Sequence, residues 1–393
     1  MVGATLACAL GQTSLRVALV DRQAPLIHWE DPEYDLRVSA ITRASQRIFE
    51  SLGVWSGMQA RRVSPFREMH VWDAAGKGAI HFDCADLGEP TLGHIIENRV
   101  ITAALHERLA ALPVDIIAPA QLQRLAWDAD YMYLEQEDGD LIAGRLMVGA
   151  DGSNSWVRGQ AGISVRGWDY EQHALVATVK PARFHQETAW QRFLPDGPLA
   201  FLPLENGYCS IVWSTRGEHA RTLLDLPEDA FAQELEAAFD SQLGPIEWVG
   251  ARAAFPLRFM RANAYVRPRL ALVGDAAHTI HPLAGQGVNL GLTDAAALAE
   301  VLSEAHAARQ NIGSIAVLRR YERWRNADNQ AMLAAVDGFK RLFGSDLSLV
   351  RWVRNLGLNL THTVLPIKNL LMRHAMGISG EMPKLARGIM LKP

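Results

Sequence analysis

The sequence predicts an α/β protein in which a domain of alternating strands and helices carries an inserted domain built on a mixed β-sheet. Two observations lead to this prediction. Strand and helix patterns alternate at both ends of the chain, whereas residues 173–255 read mainly as strands separated by turn residues. With 393 residues, of which 49% are hydrophobic, the chain is long enough to bury two cores.

Composition and charge argue against several classes of protein. The formal net charge is −4, with 39 basic against 43 acidic side chains, so no basic field favours a nucleic-acid partner. Three scattered cysteines, Cys8, Cys84 and Cys209, predict neither a disulfide framework nor a zinc site. The sequence shows no secretory signal and no apolar run of the roughly 18–20 residues that span a bilayer. We therefore expect a cytoplasmic protein, or one attached peripherally to the inner membrane.

The N-terminal residues predict a Rossmann-like unit whose first strand is missing. Residues 5–10 read as a small-residue helix, and residues 16–20 read as a strand that ends at Asp21. A dinucleotide-binding fold normally starts with a strand and the pattern G-x-G-x-x-G, followed about 20 residues later by an acid that binds the adenosine ribose. Gly3 takes the place of the last glycine and Asp21 that of the acid, so we expect a chain that begins about ten residues late. The alternatives are an unrelated N-terminal helix and a solvated strand-end carboxylate.

The remaining elements follow from periodicity and from residues that end helices or form turns. In chain order, the sequence predicts a helix at 36–52, two strands within 69–82, a helix at 98–112, a strand at 141–148, a hairpin formed by 199–204 and 208–214, a helix at 227–239, a strand at 270–273 and a helix at 288–302. The hairpin is the clearest of these predictions, because Glu205-Asn206-Gly207 joins its two strands.

Two turns between a strand and a helix carry side chains suited to binding a cofactor. Residues 151–158 contain Asp151, which can cap backbone amides, and Arg158, whose guanidinium suits a phosphate or a carboxylate. Residues 274–291 read GDAAHTIHPLAGQGVNLG, with an acid, two histidines, a proline and several glycines. Glycines let the backbone approach a flat cofactor, and a helix N-terminus favours negative charge.

Both turns resemble motifs of the FAD-dependent aromatic-ring hydroxylase family. Residues 151–158 are similar to its D-G-x-x-S-x-x-R motif, and residues 274–291 are similar to the flavin-contacting motif of its ubiquinone-biosynthesis members. The resemblance extends from Met1 through about Gly380. On this basis we expect a discontinuous Rossmann-like FAD-binding domain (1–66, 93–169 and 262–335), a substrate-binding β-sheet domain (67–92 and 170–261) and a helical, basic C-terminal segment (336–393).

The resemblance implies a role in FAD binding for individual residues. Asp275 would bind the ribityl hydroxyls, Arg37 would approach a phosphate, and Pro282 would lie beside the isoalloxazine ring as the one catalytic, positioning candidate. Backbone amides from Gly285 to Asn289 would face the flavin carbonyl edge and stabilise the anionic reduced ring. The other implied cofactor-binding residues are Gly3, Asp21, Asn98, Arg99, Asp151, Gly152, Arg158, Gly274, Gly287 and Val288. The alternative for Arg37, Asn98 and Arg99 is an ordinary surface ion pair.

No metal site is predicted. His278 and His281 lie in the flavin-contacting motif, but neither has a cysteine or an acid at metal-ligand spacing. We expect both histidines to have a structural role beside the cofactor.

The substrate side is predicted to be apolar. The residues expected on a sheet face towards the flavin are Trp190, Phe193, Phe201, Leu202, Pro203, Leu204 and Trp213. The segments at 188–193 and 197–204 are similar to those of ubiquinone hydroxylases, and an apolar pocket suits a prenylated phenol. The alternative is that these strands simply form a core.

The resemblance implies a monooxygenase that takes electrons from NAD(P)H, uses O2 and hydroxylates the aromatic ring of a polyprenylated phenol in ubiquinone biosynthesis, as 2-octaprenylphenol hydroxylases do. Three alternatives remain: a hydroxylase of the demethoxy-quinol intermediate, a flavin reductase of prenyl lipids, and a non-catalytic member of a quinone-synthesis complex. Residues 340–393 carry nine basic side chains among apolar ones, against Asp346 and Glu381. This segment predicts contact with a membrane surface or with a quinone-biosynthesis complex, or else a cap on the enzyme itself.

Overall fold

The computed structural model describes residues 1–29, 34–74, 76, 78–279, 287–326, 329, 368–369, 372–373 and 375–391. Its helices are α1 (Val2–Gly11), α2 (Arg43–Ser51), α3 (Trp55–Gln59), α4 (Asn98–Ala110), α5 (Trp156–Gln160), α6 (Gly217–Asp225), α7 (Glu228–Ala238) and α8 (Gly287–Ala307), and residues 315–326 are also helical. Its strands are β1 (Val17–Val20), β2 (Val38–Thr42), β3 (Ser64–Phe66), β4 (Glu68–Asp73), β5 (Ala79–Asp83), β6 (Gly93–Glu97), β7 (Val114–Ile117), β8 (Leu122–Trp127), β9 (Met132–Gln136), β10 (Leu141–Gly144), β11 (Met147–Gly149), β12 (Val165–Pro181), β13 (Thr188–Leu194), β14 (Gly197–Pro203), β15 (Cys209–Arg216), β16 (Ile246–Ala262), β17 (Val266–Arg267), β18 (Leu270–Leu272) and β19 (His278–Thr279).

The first structural unit is built from parallel strands covered by helices. β1 pairs in parallel with β7, and β11 pairs in parallel with β18. α1 packs against α4 and α8, and one core contains apolar side chains of these elements, among them Leu6, Ile101, Leu272 and Leu298. Helices cover parallel strands in this way in α/β proteins, and here α1 packs against β1 and β7, which stay partly exposed. The α/β class predicted from the sequence is confirmed.

The second structural unit is an eight-stranded sheet in the order β19-β16-β12-β15-β14-β13-β4-β5. Neighbouring strands are antiparallel except β13 and β4, which run parallel. Helix α7 covers one face, where Leu175, Phe201, Ile211 and Phe231 form a second core. Because side chains alternate along a strand, the residues between these core positions point to the opposite face, which we call the inner face.

The inner face looks towards the first structural unit. Ala174 precedes the core residue Leu175, so its side chain lies on the inner face, and Ala174 pairs directly with Phe255 on β16. The guanidinium carbon of Arg37 lies 5.9 Å from the centre of the Phe255 ring. A residue of the predicted FAD-binding domain therefore contacts this face of the sheet.

Most predicted elements occur close to their expected positions. The two strands within 69–82 are β4 and β5, the helix at 98–112 is α4, the hairpin is formed by β14 and β15, the helix at 227–239 is α7, the strand at 270–273 is β18, and the helix at 288–302 lies within α8. Helix α6 was not predicted.

Residues 36–52 do not form the single helix that the sequence predicts. Val38–Thr42 form strand β2, which is antiparallel to β6, and helix α2 begins only at Arg43. Pairing with β6 occupies the backbone groups that a helix would need. The hydroxyl of Thr42 then caps α2 by accepting a hydrogen bond from the Ser45 amide at 3.3 Å.

Two further boundaries differ from the prediction. Residues 141–148 form two strands, because β10 pairs with β9 whereas β11 pairs with β18 in another sheet. The domain boundary expected at 169/170 falls inside β12, which pairs with β16 from Val165 to Pro181. The division into domains beyond this point stays a prediction.

Much of the predicted C-terminal segment, residues 336–393, lies outside the described residues. Within the described part, Met372 and Met376 pack with Cys84 and Leu92. Among the helices that the structure describes, none has both the length and the apolar character needed to cross a membrane.

Candidate functional site

Three of the predicted binding segments meet at the N-terminal end of α1. A Cβ atom built on Gly291 would lie 2.7 Å from Cγ2 of Val2, and one built on Gly274 would lie 3.2 Å from the same atom. A Cβ atom on Gly3 would lie 3.0 Å from Cβ of Ala150. Glycine at these positions allows the close approach. The start of α1, the turn after β11 and the turn after β18 therefore lie side by side.

Asp21 lies at the carboxyl end of β1 and is exposed. Its backbone amide donates to the Ile117 carbonyl at 3.1 Å, and its Oδ1 accepts a hydrogen bond from the Gln23 amide at 3.0 Å. A Cβ atom on Gly3 would lie 4.0 Å from Cδ1 of Leu19, two residues before Asp21. The structure thus places an exposed carboxylate beside the start of α1.

The turn at 151–158 is held by its own side chains. Asp151 accepts a hydrogen bond from the Val157 amide at 3.0 Å and another from the Ser155 hydroxyl at 2.5 Å. Gly152 has a φ of +82°, a conformation that L side chains rarely adopt, and among the described residues no atom beyond its chain neighbours lies within 4 Å of the position of a Cβ. This conformation opens space beside the turn.

Arg158 connects this turn to the turn after β18. Its Nη1 donates to the Ala276 carbonyl at 2.9 Å, and its Nη2 donates to the Ser153 carbonyl at 2.7 Å. Burial lowers its pKa, while Asp151 raises it. The guanidinium therefore orients both turns through their main chains, and its implied contact with a phosphate stays a prediction.

The turn after β18 is held in place by the buried Asp294, a residue that the sequence analysis did not identify. Gly274 has a φ of +59°, and its amide donates to Oδ2 of Asp294 at 3.1 Å. His278 Nε2 lies 2.5 Å from the same oxygen, and the Arg325 Nε donates to Oδ1 at 2.8 Å. Asn329 Nδ2 lies 3.4 Å from Oδ1. The buried position and contacts of His278 agree with the structural role expected for it.

The electrostatics of this cluster favour an ionised Asp294. Burial alone would raise the pKa of its carboxyl, but the charges and hydrogen bonds of His278 and Arg325 outweigh burial and lower the pKa to about 2. The signal in the sequence was an acid within the mostly apolar stretch 290–299 of helix α8. Its partner Arg325 lies 31 residues away, so no local pattern connects the two.

Asp275 stands above this buried cluster with its side chain exposed. Its carboxylate accepts no hydrogen bond within the described part of the chain. The surrounding protein keeps water from part of the Asp275 carboxyl, and this desolvation raises its pKa, whereas the positive charges of His278 and Arg37 lower it. Arg37 is itself exposed and lies close enough for its charge to act on Asp275.

The N-terminus of α8 is fixed to strand β2 by Asn289. Its Oδ1 accepts a hydrogen bond from the Thr42 amide at 3.0 Å, and its Nδ2 donates to the Ala40 carbonyl at 2.7 Å. The side chain thereby extends the edge of β2 as a further strand would. Gly287 and Val288 form the first turn of α8, so their backbone position depends on this clamp.

Asn98 and Arg99 begin helix α4 next to β2. Asn98 Oδ1 accepts a hydrogen bond from the Ser39 hydroxyl at 2.6 Å. The Arg99 guanidinium binds Glu97, with 2.8 Å between Nη2 and Oε1, and its Cζ lies 4.8 Å from the centre of the Trp29 ring. The side chain of Glu97 is only 1% exposed, so the pair is partly buried rather than on the surface.

Pro282 and Gly285, like His281, lie outside the described residues. Their implied roles beside the flavin stay predictions.

Three residues expected to face the flavin point the other way. Phe201 stacks on Phe239 beside α7, with 3.9 Å between ring centres, and Trp213 belongs to the same core. Trp190 also packs against this core. The prediction considered apolar character alone, whereas alternation sends Trp190, Phe201 and Trp213 to the α7 side.

The inner face is lined by smaller side chains from the alternate positions. Val71, Gln191, Ala200, Val212, Val176 and Ala253 pair in turn across six strands and form one row. Phe193 and Leu202, also expected to face the flavin, fall on this face by the same alternation. Many of these side chains are aliphatic and small.

One group of possible metal ligands occurs among the described residues, away from this site. Ligand atoms of Glu68, His81 and Asp83 lie within 4.8 Å of one another on the hairpin of β4 and β5. Glu68 and Trp72 lie an even number of positions apart on β4, so their side chains point to the same face of the sheet. This is the face covered by α7, where Trp72 packs. We assign no metal to this group.

The chain is similar over most of its length to proteins named as ubiquinone hydroxylases and monooxygenases. A family model described as an FAD binding domain matches residues 1–336. The ubiquinone hydroxylase UbiL of Rhodospirillum rubrum is 41% identical, with 100% of this chain and 91% of the relative aligned. The 3-demethoxyubiquinol 3-hydroxylase of Escherichia coli is 40% identical over 96% of both chains. The human ubiquinone biosynthesis monooxygenase COQ6 is 35% identical over 95% of this chain and 90% of its own.

Solved structures show the same fold at lower sequence identity. The p-nitrophenol 4-monooxygenase of Pseudomonas putida superimposes with a TM-score of 0.79 and 19% identity, covering 97% of this chain and 96% of its own. The Pseudomonas aeruginosa protein PqsL superimposes with a TM-score of 0.74 and 22% identity, covering 92% of this chain and 97% of its own. At these identities the likeness concerns the fold alone.

Proposed function

The chain belongs to the FAD-dependent hydroxylases of ubiquinone biosynthesis, and we propose that it hydroxylates the aromatic ring of a polyprenylated phenol, as 2-octaprenylphenol hydroxylases do. Family membership makes it an FAD-dependent aromatic-ring monooxygenase. What membership leaves open is the ring that is hydroxylated and the source of electrons.

The residues present fit FAD. Asp275 offers an exposed carboxylate without a hydrogen bond from the described residues, and the buried Asp294 fixes the turn that carries it. Carboxylates accept hydrogen bonds from sugar-type hydroxyls, and guanidinium groups bind phosphates. We propose that Asp275 binds the ribityl hydroxyls, that Asp21 binds the adenosine ribose and that Arg37 faces a phosphate.

The remaining implied contacts are proposed in the same way. The amides of Gly287, Val288 and Asn289 would meet the flavin carbonyl edge at the start of α8, where the helix N-terminus favours negative charge. We propose that the other contacts come from Gly3, Asn98, Arg99, Asp151, Gly152, Arg158, Gly274, Pro282 and Gly285.

Bound FAD supplies the electron transfer to O2 and the delivery of one oxygen atom to the ring. We propose NAD(P)H as the donor of the electrons. The protein's part is to orient the substrate ring against the flavin and to exclude water, and the described residues of the inner face are suited to both.

The observation that carries the substrate proposal is the row of small aliphatic side chains on the inner face. Val176 and Val212 pair directly, and Ala200 and Ala253 flank them. Side chains of this size leave a broad apolar surface on the side that Arg37 contacts, which suits a ring with a long prenyl chain.

The experiment is an isotope-labelling assay of the full-length holoenzyme with a prenylphenol, NAD(P)H and ¹⁸O₂. We expect the prenylphenol to stimulate NAD(P)H oxidation and one ¹⁸O atom to enter each product molecule. A prenyl-lipid reductase would oxidise NAD(P)H without labelling the product, and a non-catalytic protein would do neither. The similarity to named hydroxylases favours neither of these alternatives.

A second candidate substrate is the demethoxy-quinol intermediate. The Escherichia coli relative, 40% identical over 96% of both chains, is named for this reaction. The same labelling assay with both substrates in competition separates the two, since the ratio of kcat/KM values gives the preference directly.

For localisation, we propose a cytoplasmic enzyme that contacts the inner membrane or a quinone-biosynthesis complex through the basic residues after Lys340. From Lys340 onward nine basic side chains stand against two acids. Lys368 pairs with Asp86 and Lys384 with Glu304, so attraction to anionic lipid is proposed for the other seven. The full chain is expected to sediment with anionic vesicles at low salt and to be released at high salt. Sedimentation that is equal with neutral vesicles would refute the electrostatic contact.

A further inference from the structure

Gln191 is the one polar side chain in a row that is otherwise aliphatic. On β13 it pairs with Ala200 of β14 on one side and with Val71 of β4 on the other. The row continues through Val212, Val176 and Ala253, all aliphatic. The nearest polar residues on this face of other strands belong to the adjacent rows: Asp73 and Ser214 on one side, Ser210 and Thr178 on the other.

The orientation of Gln191 follows from its neighbours on β13. Trp190 packs against the core beneath α7, and the Arg192 Nη1 donates to the Ala238 carbonyl at the end of α7. Gln191 lies between them, so its side chain points to the inner face.

The Gln191 side chain is mostly buried, has no partner among the described residues, and keeps its amide in contact with open space. The residue is 8% exposed, and its side chain forms no hydrogen bond within the described part of the chain. A side-chain amide that still reaches open space can form hydrogen bonds with water or with a ligand that displaces the water. The Gln191 amide is therefore placed to bind a polar group of a ligand at the inner face.

We propose that the side-chain amide of Gln191 recognises an oxygen substituent on the aromatic ring of the substrate. This inference rests on the proposed function. The amide offers both a donor and an acceptor, so it can bind a phenolic hydroxyl or a quinone carbonyl. The aliphatic neighbours contact the ring and prenyl chain without competing for that oxygen. Gln191 thereby sets which edge of the ring faces the flavin.

The test compares wild type with Gln191→Met, which keeps the side-chain length and removes the amide. The probes are a short-chain 2-prenylphenol and the matching prenylbenzene, which lacks the ring oxygen. Wild type should bind the phenol about 10-fold more tightly than the prenylbenzene, and the variant should lose most of this preference. A larger share of the NAD(P)H consumed by the variant should yield hydrogen peroxide rather than hydroxylated product.

Thermal unfolding separates recognition from a structural role. Because no described hydrogen bond is lost, Gln191→Met should unfold at the wild-type temperature or above it. Gln242→Met, the same change at an exposed residue, is the matched control and should alter neither binding nor product yield.

Each outcome decides between the alternatives. If wild type hydroxylates the phenol and Gln191→Met keeps the same preference for it over the prenylbenzene, the recognition role is wrong while the proposed function stands. Lower stability with an unchanged preference would show a structural role instead. If wild type neither binds nor hydroxylates the phenol, the proposed function fails and this inference fails with it.

Discussion

Replacing Asp294 by asparagine is expected to lower the free energy of unfolding by about 3–5 kcal/mol. The carboxylate is fully buried and accepts hydrogen bonds from the Gly274 amide and from Arg325, whose side chain is 2% exposed. His278 lies 2.5 Å from the same carboxylate. Removing one partner of a buried ionic cluster is costly, because the remaining charge keeps its desolvation penalty. Urea unfolding of the purified protein measures the change.

The matched control lies on the same helix. Glu304 pairs with Lys384 at 2.7 Å and with Arg320 at 2.6 Å, but its side chain is 41% exposed. Glu304→Gln should therefore change the free energy of unfolding by no more than about 1 kcal/mol. Adding Arg325→Met to Asp294→Asn should recover part of the loss, since it removes the second charge. Equal effects of Asp294→Asn and Glu304→Gln would contradict the assignment of a structural ion cluster.

The same substitution has a second readout in the pH dependence of stability. An aspartate in the unfolded chain titrates near 3.9, whereas His278 and Arg325 outweigh burial and lower the pKa of folded Asp294 to about 2. The folded state therefore binds this proton less readily. The contribution of about 2–3 kcal/mol is complete above about pH 4 and is lost as the pH falls towards about 2. Wild type should show this acid-side loss, and Asp294→Asn should lack it.

The parts of the site that the sequence predicted best are those where one contiguous segment carries the constraint. Residues 274–291 combine a positive φ at Gly274, a close approach at Gly291 and a helix start at Gly287. Each constraint selects a residue type at a fixed spacing, so a single sequence reveals the segment. The turn at 151–158 was predictable for the same reason.

The parts that the sequence missed depend on pairs that are distant along the chain. Val38–Thr42 became a strand because β6 pairs with it, and nothing within the segment indicates that partner. Asp294 and Arg325 meet only after α8 and the helix at 315–326 pack together. Local propensity cannot report either contact, since tertiary pairing decides both.

The error at Trp190, Phe201 and Trp213 has another cause. The alternation of β14 was visible in the sequence, but alternation does not indicate which face a helix will cover. The presence of α7 on one face decides it, because Phe231 and Phe239 fill the space above the larger side chains. The small residues at the alternate positions thereby lie on the inner face, the surface proposed to meet the substrate.

Replacing Asp275 by asparagine is expected to weaken FAD binding by about 10- to 100-fold. The substitution keeps the size of the side chain and removes the charged acceptor proposed for the ribityl hydroxyls. Fluorescence titration of the flavin-free protein with FAD measures the change. Asp225→Asn, at an exposed acid on the far side of the sheet at the end of α6, is the control and should leave the affinity unchanged.

Two further measurements show whether the loss belongs to the cofactor contact. The Asp275 carboxylate accepts no hydrogen bond from the described residues, so the flavin-free variant should unfold within about 0.5 kcal/mol of wild type. The surrounding protein raises the pKa of Asp275, and binding requires the ionised acceptor. As the pH is lowered, the affinity of the wild type for FAD should therefore begin to fall at a higher pH than it would if Asp275 had the ordinary aspartate pKa of about 3.9. The affinity of the asparagine variant for FAD should not show this fall. If Asp275→Asn binds FAD as tightly as the wild type does, Asp275 does not belong to the cofactor site.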